Sequence, residues 1–424
     1  MEFIMTNSNG KMDSTNKKTL FISYDGMTDT LGQSQVIPYL SGLSDHGYSI
    51  TLISFEKEER FKKSKDLISG ILAKKGITWS PLLYTKRPPV FSTIWDVYKM
   101  ISKAKELHRS TNFALVHCRS YLSSLAGLSL KRAFGIKMIF DMRGFWADER
   151  IDGKIWDLKN PLYKTIYNFF KNKEKAFLEE ADYTISLTEH ARDIIHSWLA
   201  VKGNPVPIQV IPCCADLSLF DYHIIESEKK FELKRSLSIS DDDFVISYLG
   251  SIGTWYMLDE MLDMYKEIQS RKPTAKFLFI TPDEPKTIED AARLKNIAPE
   301  RLIIRSAARA EVPLYLSLSQ LSLFFIRPTF SKAASSPTKQ GEIMGMGIPL
   351  ICNSDVGDTD RIVADTDCGA IVTRFSHEGY ADVLSKLDDI LRKNPAAIRA
   401  GAEKYYSLEN GIKKYLFVYQ TLLK

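Results

Sequence analysis

A short polar segment that leads into an apolar run carries the residue types best suited to chemistry in this chain. Ser335, Ser336, Thr338 and Lys339 come first, and Glu342 follows them. Ser336 is suited to cap a helix that begins with a proline, and a later glycine and proline would end it, so a helix of about three turns is predicted. The free N–H groups at the helix start, the helix dipole and Lys339 favour an anion such as phosphate.

The carboxylate of Glu342 follows Lys339 by three positions and should lie on the same helical face. There it could accept hydrogen bonds from sugar hydroxyls. Gly341 and Gly345 would let that face approach a neighbour or a ligand closely. The alternative interpretation is an ordinary capped helix that enters a buried strand.

A second glycine-bearing turn follows a predicted strand at 244–249. Its residues are Gly250, Ser251, Gly253 and Thr254. Such a turn before a helix lets backbone amides approach phosphate oxygens, although the glycines could equally serve tight packing of the helix on the sheet. Two such turns in one domain would suit a nucleotide diphosphate.

Charged residues are concentrated directly after the predicted strand at 137–141. Asp141, Arg143, Asp148 and Glu149 fall within a segment of nine residues that also contains two aromatic residues. The carboxylates could orient a sugar hydroxyl or act as a base, and Arg143 could hold a phosphate. A structural network of ion pairs that holds a long loop is the alternative.

Strand-like and helix-like patterns alternate along most of the chain, which predicts two α/β halves with parallel sheets. The predicted strands are 19–24, 49–55, 114–118, 137–141, 183–187, 208–211, 244–249, 276–280, 301–305, 321–326, 350–353 and 370–372. The predicted helices include 34–46, 92–109, 121–134, 161–180, 189–200 and 405–423. Ligands bind at the carboxyl ends of such strands, so the cleft between the halves is the expected ligand site.

Size and composition set further limits. The 424 residues suggest two domains, and 44% hydrophobic with 26% charged residues is typical of a soluble globular protein. A net charge of +5 does not suggest a partner nucleic acid. The five cysteines lack a C-x-x-C pair, which favours a reduced cytoplasmic protein, and the seven histidines show no metal-ligand spacing.

One region is distinctly basic. Between residues 82 and 109 six bases stand against two acids, a net charge of +4, interleaved with aromatic residues. The bases are Lys86, Arg87, Lys99, Lys103, Lys105 and Arg109. This surface could contact anionic lipid at the inner face of the membrane, or it could be an ordinary solvated helix face.

Taken in order, these features resemble the GT-B glycosyltransferases and, among them, the retaining family 4. The resemblance rests on the first loop up to Gly32 and Gln33, residues 210–217 with Phe220, the Gly250 turn, and the run from Gly341 and Glu342 to Pro349. The polar residues 1–18, which lack the apolar core of a signal peptide, are expected to be a disordered leader. From residue 19 onward the resemblance implies a Rossmann-like acceptor domain at 19–212, a Rossmann-like nucleotide-sugar domain at 213–404 and a helix at 405–424 that crosses back.

The resemblance also implies roles for individual residues. Glu342 would hold the ribose, and the Gly250 turn with the loop before Lys339 would hold the diphosphate. Gly32, Gln33 and Glu149 would lie on the acceptor side. The family usually has a second glutamate eight positions earlier, where this chain has Ala334.

The family also commonly carries an arginine and a lysine after the glycine turn, near the places of Ile252 and Tyr256 here. We hypothesise that Lys339, with Thr338 and the helix amides, replaces these missing cations. The family's donor-sugar contact remains unassigned.

The predicted activity is transfer of a hexose-type sugar from a nucleotide diphosphate to a lipid-linked or surface-polysaccharide acceptor, with retention. Stabilising the departing diphosphate would carry the catalysis, with no metal or other cofactor required. Asp141 or Asp148 would orient or deprotonate the acceptor, and Arg143 would assist the diphosphate. A nucleotide-sugar epimerase of the same fold and a non-catalytic binding subunit of a membrane glycosylation complex are the two alternatives.

Overall fold

The computed structural model describes residues 17–424. Most of the leader that was predicted at 1–18 therefore lies outside the described residues. Lys18 already belongs to the first strand, because its backbone pairs in register with Ser49. No helix within the described range has the length and apolar character needed to cross a membrane.

The N-terminal half is built around one parallel sheet. Its strands are β1 (Lys18–Ser23), β2 (Ser49–Glu56), β3 (Thr78–Leu83), β4 (Leu115–Arg119), β5 (Lys137–Asp141), β6 (Tyr183–Ser186) and β7 (Ile208–Val210), in the order β3-β2-β1-β4-β5-β6-β7. The helices between them are α1 (Thr30–Gln35), α2 (Ile37–Asp45), α3 (Glu58–Lys74), α4 (Phe91–Thr111), α5 (Ser120–Phe134), α6 (Trp146–Asp152), α7 (Pro161–Glu180) and α8 (Glu189–His196). The central strands are buried on both faces, as their continuous apolar sequences predict.

The C-terminal half repeats this plan. Its parallel strands are β8 (Phe244–Leu249), β9 (Ala275–Ile280), β10 (Leu302–Arg305), β11 (Leu321–Leu323), β12 (Leu350–Asn353) and β13 (Gly369–Val372), in the order β10-β9-β8-β11-β12-β13. Its helices are α9 (Ser227–Ser236), α10 (Leu258–Arg271), α11 (Pro285–Leu294), α12 (Val312–Leu316), α13 (Thr338–Gly345), α14 (Thr359–Thr366), α15 (His377–Leu384), α16 (Leu387–Leu391), α17 (Pro395–Tyr406) and α18 (Leu408–Leu422). The predicted α/β class with two parallel sheets is confirmed.

Several element boundaries differ from the predicted ones for identifiable reasons. The helix predicted at 34–46 is two helices separated at Val36, because Pro38 lacks an N–H group and belongs at a helix start. The strand predicted at 321–326 ends at Leu323. Beyond it, the Asn353 side chain bonds the backbone of Ile326 on both sides, with distances of 2.8 and 2.9 Å.

The last helix returns to the N-terminal half. Helix α18 packs against α2, with the rings of Tyr39 and Tyr415 5.3 Å apart. The Tyr419 ring lies 5.0 Å from Tyr48, and its hydroxyl is 2.9 Å from Nδ1 of His117 on β4. This final helix therefore contacts the N-terminal half through aromatic rings and a hydrogen bond.

A short turn of the C-terminal half also enters the N-terminal half. It spans Phe330–Ala334, and Ala333 and Ala334 are buried in the N-terminal core. The Ala333 carbonyl accepts a hydrogen bond of 2.7 Å from the Thr188 hydroxyl, and the Phe330 ring stacks on Phe145. This segment leads directly into α13, so it sets how the cleft-lining helix faces the first half.

Candidate active site in the cleft between the two sheets

A cavity of about 470 Å³ lies between the two halves and contains most of the residues singled out in the sequence. The predicted site residues that line it are Arg143, Glu149, Gly250, Ser335, Ser336, Thr338, Lys339 and Glu342. Its four basic and two acidic side chains leave an excess of two positive charges, which suits an anion of about the charge of a diphosphate. The cleft therefore brings together the three segments that the sequence marked separately.

Helix α13 presents its first residues to this cavity, but it differs from the predicted helix in two ways. It has eight residues, so it is shorter than three turns, and Pro337 occupies the N-cap position. Ser336 is not the cap: its hydroxyl accepts a hydrogen bond of 3.1 Å from the N–H of Cys213 in the linker between the halves. Ser336 thus ties the helix start to the linker while still lining the cleft.

Lys339 has a buried ammonium group surrounded by aromatic rings. Its Nζ lies 3.1 Å from the Tyr248 hydroxyl and 3.8 Å from the centre of the Tyr256 ring. Burial lowers the pKa of Lys339 to about 7, against an opposing effect of Glu342. An anion beside this ammonium would favour its charged form.

The Gly250 turn packs against Lys339, and not all of its backbone amides are free to bind an anion. Gly250 has a φ of +114°, and a Cβ added there would lie 3.0 Å from Lys339 Nζ. Ser251, Gly253 and Thr254 do not line the cavity, and the Ile252 N–H, at the centre of the turn, donates to Asp283. Part of the turn is therefore bonded within its own half, and the donor-binding roles of Ser251, Gly253 and Thr254 stay predictions.

Glu342 is buried and paired. Its Oε1 lies 2.5 Å from Nη1 of Arg309, in the loop after β10, and the Arg309 guanidinium lies over the Phe220 ring at 4.6 Å.

The two glycines of α13 allow close packing against neighbouring residues of the protein. A Cβ at Gly341 would meet Tyr406, and one at Gly345 would meet Leu217.

Arg143 lines the cleft, whereas Asp141 lies beneath it. The Asp141 side chain is buried, accepts a hydrogen bond of 3.0 Å from the Tyr415 hydroxyl and lies 3.9 Å from Arg143. Burial raises the pKa of Asp141, but Arg143 and the His117 ring more than compensate and hold that pKa below its usual value. Asp141 is therefore placed to orient Arg143, and the predicted direct contact with an acceptor is not available to it.

Asp148 and Glu149 point in different directions, although they are adjacent on α6. The Asp148 carboxylate accepts hydrogen bonds from Tyr167 at 2.8 Å and Lys171 at 2.9 Å on α7, away from the cleft. The catalytic assignment of Asp148 is thus not supported by its position. Glu149 faces the cleft and pairs with Lys332 of the other half at 2.7 Å.

The first loop is held by a glutamate that the sequence analysis did not single out. Glu56 is buried and accepts bonds from the N–H groups of Met27 and Thr28, at 2.7 and 3.0 Å. A Cβ at Gly32 would lie 2.2 Å from the Gly26 carbonyl, so that glycine closes the loop on itself. Neither Gly32 nor Gln33 lines the cavity, and their acceptor-side role stays a prediction.

The sequence analysis gave no role to several residues of the cleft that only tertiary contacts reveal, among them Arg309, Lys332 and Trp255. Lys332 lies 3.7 Å from the centre of the Trp255 ring. Tyr256 was noted only as a departure from a cation position, and its ring is where Lys339 rests. Among residues 17–424 no three His, Cys, Asp or Glu side chains are grouped so that they could hold a metal ion.

Comparison with known proteins gives two family matches that together cover most of the chain. Residues 35–219 match the model of Glycosyltransferase Family 4, and residues 229–404 match that of the glycosyl transferases group 1. A search of curated proteins gives no match.

Solved structures share the fold at low sequence identity. Sucrose-phosphate synthase from Thermosynechococcus elongatus has a TM-score of 0.71 at 15% identity, over 96% of this chain and 99% of that one. HepE from Anabaena, in complex with UDP-glucose, has a TM-score of 0.68 at 13% identity, over 95% and 99%. The UDP-GlcNAc 2-epimerase from Neisseria meningitidis has a TM-score of 0.57 at 14% identity, over 95% and 99%. With both halves matched by family models and two facing parallel sheets, the chain belongs to the GT-B glycosyltransferases, with a Glycosyltransferase Family 4 half followed by a glycosyl transferases group 1 half.

Proposed function

We propose that this glycosyltransferase moves a hexose-type sugar from a nucleotide diphosphate to a lipid-linked or surface-polysaccharide acceptor, with retention, at the cytoplasmic face of a membrane. The observation that carries the donor assignment is the Lys339 ammonium, buried against Gly250 at the start of α13, to which no carboxylate among residues 17–424 is bonded. UDP-glucose in the structure of the HepE neighbour supports a nucleotide-sugar in this cleft. Retention rests on the resemblance to the retaining family 4.

Most of the residues proposed to bind the donor lie in the C-terminal half, and the N-terminal half adds Arg143 and Glu149. Lys339, Thr338 and the amides at the start of α13 would bind the diphosphate, and Glu342 would accept hydrogen bonds from the ribose. Arg143 would add positive charge from the N-terminal side, where charge develops as the diphosphate leaves. Glu149, facing the cleft from α6, would contact the sugar or the acceptor.

A panel of UDP-, GDP- and dTDP-sugars tests this function. We expect nucleotide release from one donor that depends on added membrane lipid extract, and a fall of about tenfold or more in Glu342→Ala and Lys339→Ala. Glu409→Ala is the matched control, because Glu409 is an exposed carboxylate paired only with Lys413 on α18.

The same assay separates the alternatives. The epimerase neighbour favours a second candidate, which would convert the sugar with no acceptor present. A nucleotide-sugar whose sugar has been converted without added extract would support the epimerase. Binding of lipid without turnover of any donor would replace the transferase with the binding subunit.

The acceptor side has a surface suited to lipid. Phe91, Ile94, Trp95 and Tyr98, which we call the aromatic stripe, are 71, 60, 53 and 62% exposed along the first two turns of α4. The neighbouring acid Asp96 is turned inward and bonded to Tyr24 at the end of β1. The stripe therefore adjoins the end of β1, and the basic residues of the same segment, from Lys86 before the stripe to Arg109 at the far end of α4, would attract anionic headgroups.

The stripe predicts binding to vesicles. We expect sedimentation with vesicles of phosphatidylcholine and phosphatidylglycerol, weakened by about tenfold or more in the double variant Trp95→Ser/Tyr98→Ser, because each ring buries apolar area in the interface. Phe417→Ser is the control, since Phe417 is 54% exposed on α18. Equal binding by all three proteins would contradict the assignment.

A further inference from the structure

The ion pair between Arg309 and Glu342 engages one oxygen of the Glu342 carboxylate and leaves the other available to a ligand. Arg309 bonds Oε1, and among residues 17–424 Oε2 makes no hydrogen bond, although Glu342 lines the cavity. The Glu342 side chain is 6% exposed and that of Arg309 is 40% exposed. The pair thus has a buried acid and a cation that reaches it from the rim of the cleft.

A buried carboxylate needs a cationic or hydrogen-bonding partner to stay ionised. Arg309 supplies this partner from a fixed place, because its guanidinium rests on the buried ring of Phe220 at 4.6 Å. A planar guanidinium bonded to one oxygen also sets the rotation of the carboxylate, which directs the second oxygen. Arg309 would therefore influence a ligand indirectly, by fixing the orientation of the Glu342 carboxylate that the ligand contacts.

We propose that Arg309 is the positioning residue for the ribose of the donor, an inference that rests on the proposed function. It holds the Glu342 carboxylate through Oε1 and keeps it turned so that Oε2 accepts hydrogen bonds from the ribose hydroxyls. A charged acceptor makes these bonds stronger than a neutral one would. Arg309 then determines how strongly the site prefers a ribonucleotide to a nucleotide that lacks those hydroxyls.

The test compares UDP and GDP with their 2′,3′-dideoxy counterparts by isothermal titration calorimetry on the full-length chain. For the nucleotide that binds more tightly, we expect a preference for the ribose form of about tenfold or more in the unmodified protein. Glu342→Gln and Arg309→Ala should each reduce this preference to about threefold or less, and Arg309→Lys should retain part of it. Arg293→Ala is the control, because Arg293 is an exposed arginine paired with Asp290 on α11.

The outcomes distinguish this inference from the proposed function. If neither nucleotide binds, the inference is overturned, and the proposed function then stands only if the donor panel shows nucleotide release from a dTDP-sugar. If Glu342→Gln removes the ribose preference but Arg309→Ala leaves it, the donor assignment stands and the role of Arg309 is wrong. Tighter ribonucleotide binding in Arg309→Ala would also overturn the inference, since Arg309 would then compete with the ribose. Thermal unfolding of each variant verifies that it is folded.

Discussion

Replacing Lys339 with methionine is expected to lower kcat/KM for the nucleotide-sugar by about 10²- to 10³-fold, because it removes the cation placed where negative charge develops on the leaving diphosphate. Methionine keeps much of the apolar stem that packs beside Tyr248 and Tyr256. Because burying a cation costs free energy, the thermal unfolding midpoint should stay level or rise. Steady-state kinetics and thermal unfolding of the same preparations measure the two effects.

The pH dependence gives this prediction a second readout. The empty protein loses the Lys339 proton near pH 7, whereas a bound diphosphate would hold it, so binding above that pH takes up a proton. Nucleotide affinity should therefore fall by about tenfold per pH unit above 7, until the pKa of the complex is reached. Lys339→Met should lack this fall.

A matched lysine serves as the control for both readouts. Lys276→Met removes a lysine of the same half that pairs with Asp243 at 2.9 Å, outside the cleft. It should keep the activity and the pH profile of the unmodified protein. The same pH profile in Lys339→Met would assign the titration to another group and contradict the proposed role.

Replacing Arg143 with methionine is expected to lower kcat/KM by about 10²-fold, because the guanidinium is the cation that faces the cleft from the N-terminal half. It should also destabilise the fold by about 3 kcal/mol, since Asp141 would stay buried with its nearest cation removed. Kinetics and denaturant unfolding measure the two effects separately.

A double variant distinguishes the chemical role of Arg143 from the structural one. In Asp141→Asn/Arg143→Met the buried charge is gone, and the asparagine carbonyl can still accept the Tyr415 hydroxyl, so stability should return. Activity should stay low, because the cation is still absent. Recovery of activity together with stability would show that Arg143 acts only as a structural partner of Asp141. Arg132→Met, which removes an exposed arginine paired with Glu180, should change neither quantity appreciably.

The strands were the part of the fold most readily predicted. β5, β8 and β12 have the predicted bounds, because their apolar runs are buried on both faces of a parallel sheet. The edge strand β3 was not predicted, since its residues are only partly buried and Pro81 interrupts its pattern. Helix α3 beside it was also missed.

The candidate site was predictable where its residues lie close together in the sequence, on one helix or directly after one strand. Lys339 and Glu342 lie one turn apart on α13, and helical periodicity alone places both on one face of the helix, which the structure shows to line the cleft. Arg143 follows the end of β5, where parallel sheets gather ligand-binding groups. These assignments needed no knowledge of how the halves meet.

The direction in which each charged side chain points, and the partner that it bonds, were decided only by the tertiary structure. Helical spacing could not show that Asp148 turns to Lys171 while Glu149 turns to Lys332, because each points to a neighbour distant in sequence. Nor could it show that Arg309 reaches Glu342. The sequence by itself determined the two-sheet fold, the presence of a helix after Pro337 and the family, because these depend on local periodicity and motif order. The tertiary structure decided which charges face the cleft, because each is set by long-range packing between segments that the sequence keeps apart.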